Sequence, residues 1–549
     1  MFRAILLILA AFFAVSYTAT SLGSVVYYVD ASIGKDTNKG ISPNTPWKTV
    51  SKVNAFRSFL PGDQILFKKG GVWRESLIPP SSGTQSSPII YGAYGTGNNP
   101  VISGANLITS WTLYQANIWK ATVTQQPEVV LFNGTYGINK ADASQLIAQN
   151  QWAWSGSTLY VYSSSNPSVS YSNPGIEAAA RYDTLYLYNR SYLVFQNLSF
   201  NVANQYVVHL DQGANGLTFD GCSFAYGYLY GIVTQTSFVA QNIVIKNSTS
   251  KYNGAVGIHA GDGSYNWLIQ NNTSLKDGYI YDPTNNDLAF GGGIKIWSTA
   301  HNIIIEKNNV LLSGKKDDGS DVNNPTHGFG IWLDTAGNGI IIRYNKVSQS
   351  AMYGITVEKT SNAQVYYNLS YNNEQDGISM HGDNNGIIGG NEIYNNVSYG
   401  NGRNGITAWG PYLGVPNSCT NNVFRNNIAV ANGGSQFSAK WGCENDSIHG
   451  SGNVYDHNSF GVENNNFIEW GSTIFKSTYA DFESSYGSPT YSVTGDPLFA
   501  NPANANFTLK SQSPNVNAGI NVGLISDFAG TEIQNPQKPN IGAYESTSP

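Results

Sequence analysis

Charge is scarce in this chain. Asp, Glu, Lys and Arg make up 12% of its 549 residues, about half the share in an average globular protein. The net charge of −6 gives no basic surface for nucleic acid. Cysteine is confined to Cys222, Cys419 and Cys443, too few for a disulfide scaffold. Disorder is excluded by the 13% of aromatic residues, because such chains lack them. Long hydrophobic runs are missing too, apart from the 12 residues Ala4 to Val15, which follow Arg3 and precede small residues. Spanning a bilayer takes roughly 20 apolar residues, so this stretch reads as the apolar part of a signal peptide. Residues 1–24 are therefore expected to be a leader, the protein to be secreted or extracytoplasmic, and the mature chain to have no membrane span. Export permits a disulfide between Cys419 and Cys443, with Cys222 left over; three buried free thiols are the alternative.

What the sequence does contain is a repeat. Gly-Ile followed by alternating residues recurs as GIVTQ from Gly231, GIHAG from Gly257, GIKIW from Gly293, GIWLD from Gly330, GITVE from Gly354, GISMH from Gly377 and GITAW from Gly405, with a relic, FSAKW, at Phe437. A second column of Ile/Val-x-x-Asn runs in step through Asn272, Asn308, Asn345, Asn368, Asn391, Asn427 and Asn458. The shortest spacings, Gly330 to Gly354 to Gly377, are 24 and 23 residues, with no helical period between them. A unit of that size, with short strands and tight turns, fits one coil of a parallel β-helix. Stacked Asn side chains would satisfy the bends, so Asn368 and Asn396 read as turn residues rather than glycan acceptors.

On these motifs the chain resembles the right-handed parallel β-helix proteins of the pectin-lyase-like type. The opening YYVDASIGKDTNKGISPNTPWKTVSKVN and the ending GDPLFANPANANFTLKSQSPNVNAG, with PNIGAYE after it, are similar to the first coil and terminal segment of exported members. The resemblance implies an all-β solenoid and leaves the activity open, since the group contains glycoside hydrolases, polysaccharide lyases, epimerases and tailspikes. The expected layout is a leader (1–24), early coils with a β-rich excursion around Trp111 to Tyr162 (25–175), a central β-helix (176–480) and a terminal coil and segment (481–549).

In a strand, alternate side chains face opposite ways, so the Ile of each motif and the apolar residue two places on point inward. The outward columns then carry His259, Lys295 and Trp332 on one line, and Trp297, Asp334, Glu358, His381, Trp409 and Trp441 on the other. Tryptophan rimmed by polar groups marks a carbohydrate-binding face. Insertions of about 13 residues precede Gly293 and Gly330, and another follows Trp409; they are placed to wall a cleft.

Asp334 and Glu358 fall in one column of adjacent coils, about 5 Å apart by strand spacing, close to the carboxyl separation of retaining glycosidases. Two like charges so close should raise one pKa and so produce a general acid. The pairing of GIWLD with GI-x-x-E one coil later resembles β-helix glycoside hydrolases of the β-xylosidase kind. That resemblance implies Asp334 as nucleophile and Glu358 as acid/base; spacing alone leaves the roles open. His381 is expected beside Glu358, with Trp297, Trp332, Trp409, Lys295 and His259 binding substrate. Asp317, Asp318 and Asp321 have the oxygen chemistry of a Ca²⁺ site, though no other cofactor is implied. The rival readings are a lyase or epimerase using Lys295, His381 or Arg343 on a uronate polymer, and a non-catalytic carbohydrate-binding adhesin.

Overall fold

The computed structural model describes residues 23–549, apart from 235–236, 283–284, 323–326, 384–385, 412–417, 445–449, 472–473, 546 and 549. Almost all of the expected leader, and parts of the insertions after residues 275, 312 and 410, lie outside the described residues.

Three long sheets run the length of the molecule, with 13, 12 and 11 strands. Each coil contributes one strand to each, and successive coils pair in parallel and in register, as in Ile331–Ile355, Leu333–Val357 and Val357–Met380. The Gly-Ile motif strands form the 12-stranded sheet. Its inward side chains, Ile294, Ile296, Ile331, Leu333, Ile355 and Val357, are fully buried in one continuous core. Burying each such side chain is worth about 1.5–3 kcal/mol. The outward positions are thereby left free for chemistry.

The bends are held by asparagine. The side-chain carbonyls of Asn308, Asn345, Asn368, Asn396, Asn427 and Asn458 each accept the backbone N–H of the ladder Asn one coil before, from Asn272 onward, at 2.9–3.1 Å. The residue before each, for example Lys307, Tyr344 and Tyr367, has a positive φ. That conformation costs non-glycine residues on the order of 1 kcal/mol or more, and the ladder over-determines it. The expected column differs at one member. Asn391 belongs to a parallel ladder at another corner, Asn391–Asn422–Asn453, and Asn396 takes its place. Asn368 and Asn396 are fully buried.

The β-rich excursion is larger than Trp111 to Tyr162. It leaves the coil at Ala105, builds a four-stranded and a five-stranded sheet, and returns at Ala179. The strands before it, Val26–Val29, Gln64–Lys68 and Ile89–Tyr94, are coil strands, and Ile89–Tyr94 pairs directly with Leu193–Gln196. At the far end, helix Tyr479–Tyr486 covers the core. The segment after it turns back along the side and packs Phe499, Phe507 and Leu509 against Tyr366, Tyr394 and Val397.

Candidate active site

A cleft of about 810 Å³ opens on the 12-stranded sheet, lined by Tyr206, Tyr230, His259, Asp287, Phe290, Lys295, Trp297, Phe329, Trp332, Asp334, Tyr353, Glu358, Lys359, His381 and Asp383 among others. The strands Gly292–Trp297, Phe329–Asp334, Ile355–Glu358 and Ile378–His381 bring these together through register alone: Trp297, Asp334, Glu358 and His381 are successive partners, as are His259, Lys295 and Trp332. The short helix Asn286–Ala289, from the first insertion, sets Leu288 against Tyr206 and Tyr230, and Asp287 accepts the Tyr230 hydroxyl at 3.0 Å.

The two carboxylates are ringed by donors. Lys295 Nζ lies 3.0 Å from Asp334 Oδ2, and the Thr335 hydroxyl donates to Asp334 Oδ1 at 3.0 Å. Trp332 Nε1 donates to Glu358 Oε2 at 2.9 Å, His381 Nε2 is 3.5 Å from the same oxygen, and Lys359 Nζ is 3.6 Å from Oε1. Lys359 also pairs with Asp383 at 2.7 Å. Ser379 Oγ lies 3.0 Å from His381 Nδ1 and accepts from Thr407 at 3.0 Å, which orients the imidazole.

Charge repulsion was expected to raise one carboxyl pKa. The structure differs. Burial pushes Glu358 up, but His381, Lys359 and the Trp332 N–H outweigh it and hold it below the usual range. Burial lowers Lys295, against the pull of Asp334 and Glu358. It also drives His259 down to about 3, helped by Lys295, so that this imidazole is neutral.

The tryptophans divide. Phe329 stacks on one face of Trp332 at 4.1 Å and Lys295 Nζ covers the other at 3.6 Å, so neither face is open to a sugar. Trp409 lies outside the cleft lining, beneath Arg403 (4.6 Å) and Lys440 (4.3 Å). Its column partner in the next coil is Lys440 and not Trp441, because FSAKW begins at the inward position and is shifted by one residue. Trp297 and Trp332 both line the cleft, and with Trp332 covered on both faces Trp297 is left as the candidate stacking ring. Asp287, Lys359, Phe290 and Tyr353 also line it; none stands in an outward Gly-Ile column, Asp287 sitting on the insertion helix, Phe290 at its end, and Tyr353 and Lys359 flanking the strand Ile355–Glu358.

Asp317, Asp318 and Asp321 are not brought together. Asp317 pairs with Lys276, Asp318 with Ser320, and Asp321 with Lys315, and among the described residues no three His, Cys, Asp or Glu side chains converge as metal ligands. Arg343 lies on the 13-stranded sheet, paired with Glu306. Cys419 and Cys443 form a disulfide, and Cys222 is buried and free, its thiol pushed up to about 12 by burial.

Fold and cleft together define a parallel β-solenoid with a site on one outward sheet. The model for the right handed beta helix region matches residues 136–310 and 316–469, more than half of the chain; the protein belongs to the right-handed β-helix family. It is similar to a lacto-N-biosidase from Bifidobacterium longum, 38% identical over 108 residues, 18% of this chain and only 7% of that protein. Among solved structures, XylC in complex with xylose superposes with a TM-score of 0.63 at 14% identity, over 95% of this chain and 98% of that one. Pectate lyase Pel9A matches at a TM-score of 0.46 and 16% identity, over 95% and 97%.

Proposed function

We propose that the protein is an exported carbohydrate-active enzyme, a retaining glycoside hydrolase acting on plant or algal poly- or oligosaccharides built of neutral sugars. The observation that carries this reading is the register pairing of Asp334 with Glu358 inside the cleft. Adjacent strands are about 4.8 Å apart, near the roughly 5–5.5 Å of retaining carboxyl pairs. Asp334 attacks the anomeric carbon as the glycosidic C–O bond breaks, and Glu358 gives its proton to the leaving oxygen. Water then attacks the same carbon, gives a proton to Glu358 and releases the Asp334 carboxylate. Trp297 offers the sugar a ring face, and His381 sets the proton affinity of Glu358.

The lyase reading needs an unpaired cation to neutralise a uronate. Among the described residues lining the cleft, Lys295 and Lys359 both pair with carboxylates, while Asp287, Asp334, Glu358 and Asp383 make the lining acidic. The adhesin reading loses its Trp ladder with Trp332 and Trp409 covered. The sugar class also draws on the relatives: xylose, the sugar bound in XylC, is the first candidate.

The test is a panel of 4-nitrophenyl β-glycosides (xyloside, glucoside, galactoside, N-acetylglucosaminide) beside pectate and alginate. Nitrophenol release without unsaturated product is expected, reduced roughly a hundredfold or more in Asp334→Ala and Glu358→Ala. Azide should rescue Asp334→Ala to a glycosyl azide of inverted configuration and Glu358→Ala to one of retained configuration. The exchange of these outcomes would reverse the two roles. Unsaturated products that persist in both variants would make the protein a lyase.

A further inference from the structure

Lys295 occupies an unusual place. Its side chain is 12% exposed, and its Nζ sits over Trp332, 3.6 Å from the ring centre, and 3.0 Å from Asp334 Oδ2. Trp332 in turn donates its N–H to Glu358. One cation thus touches the first carboxylate directly and the second through an indole. A lysine that bound substrate would point its ammonium into open cleft, whereas the donors of Lys295 are turned to Asp334 and the ring.

We propose that Lys295 is a positioning residue for the hydrolase reading above, on which this inference rests: its ammonium, in direct contact with the Asp334 carboxylate, fixes that group for attack, and through Trp332 ties the place of Asp334 to that of Glu358. The groups facing Asp334 from each element fit this role. From the preceding coil comes Lys295, flanked by the neutral His259. From the following coil come Glu358, a like charge in the same column, and Lys359, which is engaged by Asp383 and Glu358. The insertion helix adds Asp287, a further negative charge felt by Lys295. His381 addresses Glu358. Lys295 is the one cation in direct contact with Asp334 among the described residues. Phe329 stacks on the indole and holds it in place under the ammonium.

The role can be read separately from substrate binding. 2,4-Dinitrophenyl 2-deoxy-2-fluoro-β-glycosides carry a leaving group that needs no proton, so the pH profile of their trapping is free of the protonation of Glu358 and reports on the nucleophile. Trapping with the xylosyl, glucosyl and galactosyl reagents would be followed against pH in wild type, Lys295→Met and Lys295→Arg, with the labelled peptide identified by mass spectrometry. The expected result is a label on Asp334 and an acid limb displaced upward by roughly one pH unit or more in Lys295→Met, restored in Lys295→Arg. Met keeps an unbranched side chain without the charge, and thermal melting of each variant checks that the fold is kept. An unmoved limb with weaker reagent affinity would overturn the proposal and make Lys295 a substrate contact. A label on another residue, or none on wild type with any reagent, would overturn the hydrolase reading itself, and the proposal with it.

Discussion

Glu358 is a proposed general acid held below its ordinary pKa, which has a measurable consequence. Its protonated form is populated only on the acidic side of the usual glutamate range, so proton-dependent turnover should peak at acidic pH and fall as pH rises. Removing His381, the largest of the groups holding Glu358 down, should raise that pKa. His381→Ala is expected to move the basic limb of kcat/KM upward with 4-nitrophenyl substrates, at the cost of a lower maximum. An unchanged profile would separate His381 from Glu358. The limbs belong to the carboxylate pair as a unit, so the comparison is between proteins rather than with any single ordinary value. At this scale the sequence was informative where side chains obey strand parity. Asp334, Glu358, His381, Lys295 and His259 could all be placed in one cleft from their column positions. Parity says which way a side chain points but not what covers it, and so Trp332 and Trp409 looked like open rings.

Among the elements, the corner ladders make the sharpest test. Asp277 stands at the same corner as Asn401 further along the solenoid: it accepts the Asn253 backbone N–H at 3.1 Å and the Ser274 hydroxyl at 2.7 Å, as Asn401 accepts from the Asn373 N–H. Burial pushes its carboxyl up to about 6. The unfolded chain ionises near the ordinary value, so the folded state pays for the charge above that value. Asp277→Asn should therefore stabilise the protein at neutral pH, by on the order of 3 kcal/mol, and the gain should fade as pH falls through the folded pKa toward 4. Denaturant unfolding at pH 7 and pH 4 checks both halves; a loss of stability at pH 7 would show that this corner needs the anion. The repeat itself was plain in sequence because Ile and Asn recur in one phase. Asn391 fits the Ile/Val-x-x-Asn column in sequence yet belongs to the neighbouring ladder, because two corners use the same residue with nearly the same spacing. The relic motif slipped by one because Phe437, with no glycine before it, begins at the inward position.

On the scale of the whole molecule, a solenoid has two open ends, and exposed strand edges invite association. Here Trp47 stacks on Tyr27 beside Phe56 and Phe59 at one end, and helix Tyr479–Tyr486 lays Phe482 against Trp470 and Tyr486 at the other. Phe482→Ala should cost about 3 kcal/mol and uncover the last coil. A lower melting temperature and concentration-dependent light scattering are expected; a monodisperse variant of unchanged melting temperature would show that the helix is dispensable. Neither the extent of the excursion, Ala105 to Ala179, nor the return of the terminal segment along the flank could be read from periodicity, because both leave the repeat.

The column that pairs Asp334 with Glu358 also makes their separation digital. Positions on a helical or loop-built site can drift by fractions of an ångström, but here the spacing changes only in whole coils. Duplicating one 23-residue turn between the two strands would take the pair from about one strand step to about two, near 10 Å. That is just past the upper end of the separation at which water, rather than a carboxylate, attacks the sugar. In such a scaffold the stereochemical course of a reaction is set by counting turns, and a single tandem duplication is the smallest change that could rewrite it.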